Sequence, residues 1–257
     1  MNNDVEASGP AASNAAPAAN GAGRLYFRQL LAGRDFATSD PIARQMVNFV
    51  YLIGDRETGE AVAVDPAYAP AELMDMVEAD GMHLVGALAT HYHADHVGGN
   101  LFGHEIAGVT DLLEQTSVPI HVQRAEVPWV VRAAGLSKDD LFEHDADDVL
   151  EVGEIRIRLL HTPGHTPGSQ CFLVDGRLVA GDTLFLNGCG RTDLPGSDPA
   201  AMYDSLLNRL ARLPDDTVVY PGHLYSEDPS ATLGETKRWN PVLVPRTAEA
   251  WLRAFGG

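Results

Sequence analysis

The chain has 257 residues, 45% of them hydrophobic, which suits one large α/β domain with a buried core and leaves no room for a second full domain. Thirty-six acidic residues against eighteen basic ones give a net charge of −18. That charge opposes a polyanion, and the Lys/Arg content clusters nowhere beyond Lys237-Arg238, so nucleic acid is excluded as a partner.

Residues 1–23 are dominated by Ala, Asn, Gly, Pro and Ser and hold no Lys or Arg, a composition that predicts a disordered tail. They lack the basic start and apolar stretch of a secretory signal and the arginines of a mitochondrial presequence. No apolar run reaches the length of a membrane span, and two cysteines, Cys171 and Cys189, make no disulfide framework. A cytoplasmic location is the expectation.

Residues 24–257 read as one folded unit. Strands are predicted at Leu25–Leu31, Val47–Ile53 and Ala61–Val64, the last two joined by a turn from Gly54-Asp55 to Gly59. Leu73, Met76 and Val77 mark a one-sided helix over Pro70–Asp80, which leads into an apolar strand at Leu84–Ala89. That strand feeds Thr90-His91-Tyr92-His93-Ala94-Asp95-His96, three imidazoles and a carboxylate within seven residues. Side chains two apart in extended backbone share a face, so His91 and His93 can reach one ion, while Asp95 and His96 lie beyond a bend and can serve another. Imidazole with a nearby carboxylate suits zinc or iron, since calcium and magnesium prefer oxygen shells. Gly98 and Gly99 follow, where missing side chains would let the backbone approach the ions.

The segment 101–116, with a helical run at Val109–Leu113, is predicted to lie over or beside the metal cleft. His83, His104, His121 and His144 are read as surface histidines without a role. A strand at Val118–Val122, a helix at Ala125–Ala134, a solvated acidic turn at His144–Asp148 and a hairpin of Ile155–Leu160 with Ser169–Val174 complete the middle. Three further candidate ligands follow strand-like runs: His165 after Ile155–Leu160, Asp182 after Leu178–Ala180, and His223 after Thr217–Tyr220. Ligands at successive strand ends can converge on one sheet edge. His161 is left unassigned, and a helix is expected over Pro199–Leu213.

In order and context these residues resemble the metallo-β-lactamase superfamily, whose pattern is a T-H-x-H-x-D-H loop followed by a single His, a single Asp and a last His; the likeness runs from about Tyr26 to Asn240. The resemblance implies a four-layer αβ/βα sandwich with metals along one sheet edge. It also implies that His91, His93 and His165 hold one divalent ion, Asp95, His96 and His223 a second, and that Asp182 bridges them. Two such ions, zinc with iron or manganese as alternatives, would lower the pKa of a bound water from about 15.7 toward about 7, supplying hydroxide to attack a carbonyl. Asp95 would orient the nucleophile or receive a proton.

Substrate signals are fewer. Asn187-Gly188-Cys189-Gly190-Arg191-Thr192-Asp193 resembles the loop of glyoxalase II (hydroxyacylglutathione hydrolase) and of persulfide dioxygenases whose basic residue contacts glutathione, and Tyr225 stands two residues after the last ligand, as in both. Arg191 and Tyr225 are therefore the expected substrate contacts, Arg191 gripping a carboxylate. The short tail after His223 and Phe27-Arg28-Gln29-Leu30 resemble the dioxygenases, whereas Leu194-Pro195-Gly196 resembles short bacterial glyoxalase II-type hydrolases. The dioxygenase pattern implies one Fe(II) on His91, His165 and Asp182, with His93 spare. A thioester hydrolase acting on a glutathione-linked small molecule is the first expectation, and an iron-dependent glutathione persulfide dioxygenase the alternative.

Overall fold

The computed structural model describes residues 23–244 and 247–256; the expected N-terminal tail lies, but for Gly23, outside the described residues. In chain order the strands are β1 (Leu25–Leu31), β2 (Phe49–Asp55), β3 (Glu60–Val64), β4 (His83–Leu88), β5 (Gly99–Leu101), β6 (His104–Ile106) and β7 (Ile120–Gln123). After them come β8 (Leu141–His144), β9 (Val149–Val152), β10 (Ile155–His161), β11 (Gln170–Val174), β12 (Arg177–Gly181), β13 (Val218–Pro221) and β14 (Ala231–Thr232). The α-helices are α1 (Pro41–Met46), α2 (Pro70–Ala79), α3 (Ala94–Val97), α4 (Val109–Gln115), α5 (Val127–Ala134), α6 (Pro199–Tyr203), α7 (Leu233–Trp239) and α8 (Ala248–Phe255).

Two six-stranded sheets result, ordered β1-β2-β3-β4-β7-β8 and β14-β13-β12-β11-β10-β9, with β5 and β6 as a separate hairpin. The period of two along β2 explains how they stack. Phe49, Tyr51 and Ile53 point to the inter-sheet core, where Ile157, Leu159, Phe172 and Val179 meet them from the second sheet. Val50 and Leu52 point the other way and are covered by Leu73 and Val77, one turn apart on α2. Farther along this face Val109 and Leu112 of α4 and Val127 and Val130 of α5 cover Ala87, Ile120 and Val122. On the far side Met202, Leu206, Leu233 and Trp251 cover Leu160, Leu178 and Val219. The layers therefore run helix, sheet, sheet, helix, the expected αβ/βα sandwich.

Several boundaries differ from the sequence reading. Val47 leaves the predicted strand because it closes α1, a helix the reading omitted, in a left-handed conformation (φ +51°), and β2 begins two residues later. The stretch expected as one helix over Pro199–Leu213 starts as α6 and continues through wider π-type turns to Arg209 and a 3₁₀ turn to Arg212. Strands β8 and β9 flank the acidic turn and are absent from the sequence reading, because Leu141-Phe142-Glu143-His144 and Val149-Leu150-Glu151-Val152 show no regular alternation of apolar and polar residues. His121 and His144 are buried on β7 and β8, joined Nδ1 to Nε2 at 2.9 Å, instead of lying on the surface; both side chains are turned inward by strands whose pairing sequence periodicity left undefined. His83 and His104 are exposed, as expected. Gly98 and Gly99 serve packing instead of the ions: a Cβ on Gly99 would lie 2.2 Å from the Ala133 carbonyl oxygen, and one on Gly98 2.7 Å from Gly108.

Candidate metal centre

The seven expected ligands come together at one edge of the sandwich. β4 leads through Ala89 into Thr90–His93 and then α3, which carries Asp95 and His96; His165 lies in the loop joining β10 to β11; Asp182 directly follows β12, and His223 comes two residues after β13. Both sheets thus supply side chains. Three sets of ligand atoms lie within 4.8 Å of one another: His91, His93 and His165; His91, His96 and Asp182; and Asp95, His96 and His223.

The tautomers follow from the outer hydrogen bonds. His165 Nδ1 donates to the Arg191 carbonyl at 2.8 Å and His223 Nδ1 to the Met46 carbonyl at 2.8 Å. His96 Nδ1 donates to Asp65 Oδ2 at 2.9 Å, and His91 Nδ1 to Thr90 Oγ1 at 3.0 Å, because that hydroxyl gives its own proton to Asp65 at 2.6 Å. Each of these four rings therefore turns its Nε2 inward, the atom an ion would take in place of any proton there. There His91 Nε2 and His165 Nε2 each stand 3.0 Å from His93 Nδ1, and His96 Nε2 stands 3.2 Å from His223 Nε2. Two nitrogens on a tetrahedral ion at about 2.0–2.1 Å would be about 3.3 Å apart, so the spacing fits ligation.

The charge balance fits as well. Asp65, Asp95 and Asp182 have no Lys or Arg partner among the described residues; imidazoles are the only potentially cationic groups paired with them there. Burial works against ionisation of Asp182, yet His223 and His96 outweigh it and hold its carboxyl well below the usual carboxylate range. Its Oδ1 is buried with no hydrogen-bond partner, an orphan acceptor that a cation would satisfy. Burial likewise opposes a proton on His96, but Asp95, Asp182 and Asp65 raise it to about 10. Burial and then the neighbouring imidazoles push His91 well down, and burial with His165 does the same to His93. This pocket favours positive charge beside its carboxylates and disfavours a proton on His91 and His93, which leaves their nitrogens open to a divalent ion.

Two residues that the reading missed organise the shell. Asp65, at φ +53°, accepts from the Thr90 N–H at 2.7 Å besides its bonds to the Thr90 hydroxyl and His96. Asn48 donates through Nδ2 to the backbone oxygen and Oδ2 of Asp95, at 3.0 and 3.1 Å, and accepts from the Tyr68 hydroxyl at 2.9 Å. Neither has a sequence signal, since Asn48 just precedes β2 and Asp65 just follows β3, both remote from the ligand motif. Gly190 is required by the site itself: a Cβ there would lie 2.3 Å from the Asp182 carbonyl oxygen and 2.8 Å from the His165 ring. His161 points away, its Nε2 on the Pro167 carbonyl at 3.0 Å.

A cleft of about 820 Å³ opens over the cluster. Tyr225 lines it with its ring stacked on His223 (4.7 Å between centroids, 7° between planes), so this tyrosine both packs and faces the cleft. Arg191 lines it too, but its guanidinium forms a bidentate pair with Asp193 at 2.8 and 2.7 Å. Arg132 lines it as well, over the Trp129 ring at 5.7 Å and without a carboxylate partner among the described residues. Leu101 and Phe102, at the tip of the β5–β6 hairpin, complete the rim, which places the start of segment 101–116 beside the cleft. Phe102 is 92% exposed. Cys189 also reaches the cleft, half-buried, where burial pushes its thiol up to about 12.

The sequence pattern of the metallo-β-lactamase superfamily matches residues 44–223, the span that contains every side chain of the cluster. The chain belongs to the metallo-β-lactamase superfamily. Among its relatives, the mitochondrial persulfide dioxygenase ETHE1 of Homo sapiens is 30% identical over 239 residues, which cover 89% of this chain and 86% of that protein. The hydroxyacylglutathione hydrolase of Methylobacillus flagellatus is 35% identical over 222 residues, 84% of this chain and 78% of that one. Among solved structures, ETHE1 from Myxococcus xanthus superposes with a TM-score of 0.71 at 30% identity, covering 89% of this chain and 88% of its own. Membership of this metallo-β-lactamase superfamily makes the chain an enzyme on a fold that binds divalent metal, with relatives divided between hydrolysis and oxygenation.

Proposed function

We propose that the protein hydrolyses a glutathione thioester at two divalent metal ions, zinc with iron or manganese as alternatives. His91, His93 and His165 would hold one ion, Asp95, His96 and His223 the other, and Asp182 both. The observation that carries this reading is the completeness of both ligand sets, each with its ring nitrogens turned inward at ligation spacing and with the orphaned Asp182 oxygen among them. When bound, the ions supply Lewis acidity toward a carbonyl and make water acidic enough to react near neutral pH.

The remaining work belongs to the chain. Asp95 is held by Asn48 and kept ionised: burial opposes the charge, but His96 and His223 outweigh it, so the carboxylate can orient a nucleophile or accept its proton. Tyr225, fixed by its stack on His223, and Phe102 flank the thiol side of the substrate. Glutathione carries two carboxylates, and two arginines reach the cleft. Arg132 has no carboxylate to exchange, whereas Arg191 must trade Asp193 for the substrate, so both can grip an anion but Arg132 does so without losing an ion pair.

One observation favours the second reading, a persulfide dioxygenase with a single Fe(II) on His91, His165 and Asp182. The human dioxygenase aligns with this chain over 86% of its own length, whereas the hydroxyacylglutathione hydrolase of Polaromonas sp. aligns over 64% of its own. Offering each metal form S-D-lactoylglutathione and, separately, glutathione persulfide separates the two. Thiol release by the zinc form is the expected result; oxygen uptake by the iron form, with negligible thioester cleavage by any form, overturns it.

A further inference from the structure

Glu126 lies where the two loops carrying the three-histidine set meet. It sits in the turn before α5 and is 1% exposed. Its Oε1 accepts from the Tyr92 N–H at 2.8 Å, between His91 and His93; its Oε2 accepts from the Gly168 N–H at 2.6 Å, three residues beyond His165. One carboxylate thus ties residues 76 positions apart in sequence to the same point. The approach is close, for a Cβ on Gly168 would lie 2.4 Å from the Glu126 nitrogen and 2.5 Å from its Cβ. From the same segment Trp129 stacks on the Tyr92 ring at 5.0 Å, holding that loop from its side-chain face.

The choice of a carboxylate is informative. No Lys or Arg pairs with Glu126 among the described residues, and burial pushes its carboxyl up to about 7 while Thr166 and the two backbone N–H groups pull it back. A buried charge without a counter-ion is costly, so a loop tie alone would be better served by a neutral group. Only a carboxylate, however, offers two acceptor oxygens to two N–H groups facing it from different loops; a carboxamide offers one acceptor and sets an N–H against the other. We propose that Glu126 is a positioning residue for the metal: it fixes the separation of the His91–His93 loop from the His165 loop and so sets the affinity of the three-histidine position. This rests on His91, His93 and His165 being ligands.

The test compares Glu126→Gln, Glu126→Asp and Val130→Ala, the last removing buried side chain from the helix that follows Glu126, where the side chain packs in the core and makes no hydrogen bond to either loop. Metal affinity is read by titrating Zn²⁺ or Co²⁺ against a competing chelator, with Co²⁺ absorption reporting the nitrogen ligation, and folding by thermal melting. Glu126→Gln should weaken binding of one of the two ions about 10- to 100-fold, as loss of an outer partner does elsewhere, and change the Co²⁺ spectrum. Val130→Ala should lower the melting temperature with metal affinity unchanged, and Glu126→Asp should recover part of the lost affinity. Wild-type affinity and spectrum in Glu126→Gln, or equal losses in Val130→Ala, overturn the proposal. If Glu126→Gln does not fold, Gly168→Ala puts the same question by displacing the loop from the other side, with the same two outcomes. A wild-type protein that binds no metal would instead remove the ligand assignment itself.

Discussion

At the centre, what distinguishes a ligand from a buried histidine is the partner of its other nitrogen. Asp65 holds two such arrangements at once, through His96 directly and through the Thr90 hydroxyl to His91. Asp65→Asn turns a donor toward groups that need acceptors, and metal affinity measured by chelator competition should fall about 10- to 100-fold. Asp182→Asn removes the carboxylate shared by both sets; elemental analysis of the purified variant should find the metal content of wild type, one to two equivalents per chain, reduced or lost. For the substrate, Arg132→Ala and Arg191→Ala should each raise KM for a glutathione thioester more than they lower kcat, since they remove binding common to ground and transition states. Arg132 should show the larger effect because it has no pairing with Asp193 to break first. An unchanged KM in both variants would refute glutathione as the substrate's carrier.

Between elements, the joined histidines of β7 and β8 introduce a pH dependence of stability away from the metal ligands. Burial first, then His144, lowers the pKa of His121 to about 4, and burial lowers His144 despite Asp148 at 3.4 Å. A histidine depressed in the folded state is neutral in both states above about pH 6.5, where its contribution is fully present. As pH falls from 6.5 toward 4 the unfolded chain takes up protons first, and stability is lost, by at most about 3 kcal/mol for His121 on the shift given. Replacing it by a neutral side chain, His121→Gln, should flatten the denaturation-derived stability between pH 6.5 and 4 relative to wild type. An identical pH slope in the two proteins would rule out this pair as the source.

Taken as a whole, the molecule draws its ligands from both sheets, His91 to His96 from the first and His165, Asp182 and His223 from the second. A bound ion therefore links the two halves of the sandwich and is absent from the unfolded chain's organised contacts. Free metal at about 100 times its Kd stabilises by about 2.7 kcal/mol, which for a protein of this size is a rise in Tm of about 5–10 °C. Stripping the metal with a chelator should lower Tm by that order, and re-addition should restore it. The net charge of −18 sets a limit on the cleft as well. A substrate with two carboxylates and a net negative charge approaches against the overall field and is drawn in only locally by Arg132 and Arg191, so moderate salt should change kcat/KM less than it would with an all-basic cleft.

Local patterns carried the ligand set and most of the secondary structure. The T-H-x-H-x-D-H run, and a single His or Asp after each later strand, are contiguous signals, because a strand end presents its next few residues to one sheet edge whatever the rest of the chain does. Leu25–Leu31 and Gln170–Val174 were legible for the same reason, as runs whose alternation is set by near neighbours. Asp65, Asn48 and Glu126 were not, since each acts on residues 25 to 47 positions away and lies in no motif of its own. The strands β8 and β9, the burial of His121 with His144 and the presence of Arg132 in one cleft with Arg191 likewise depend on which strand lies beside which. Two sheets had to stack before these side chains shared a neighbourhood, and sequence periodicity holds no record of distances made by stacking.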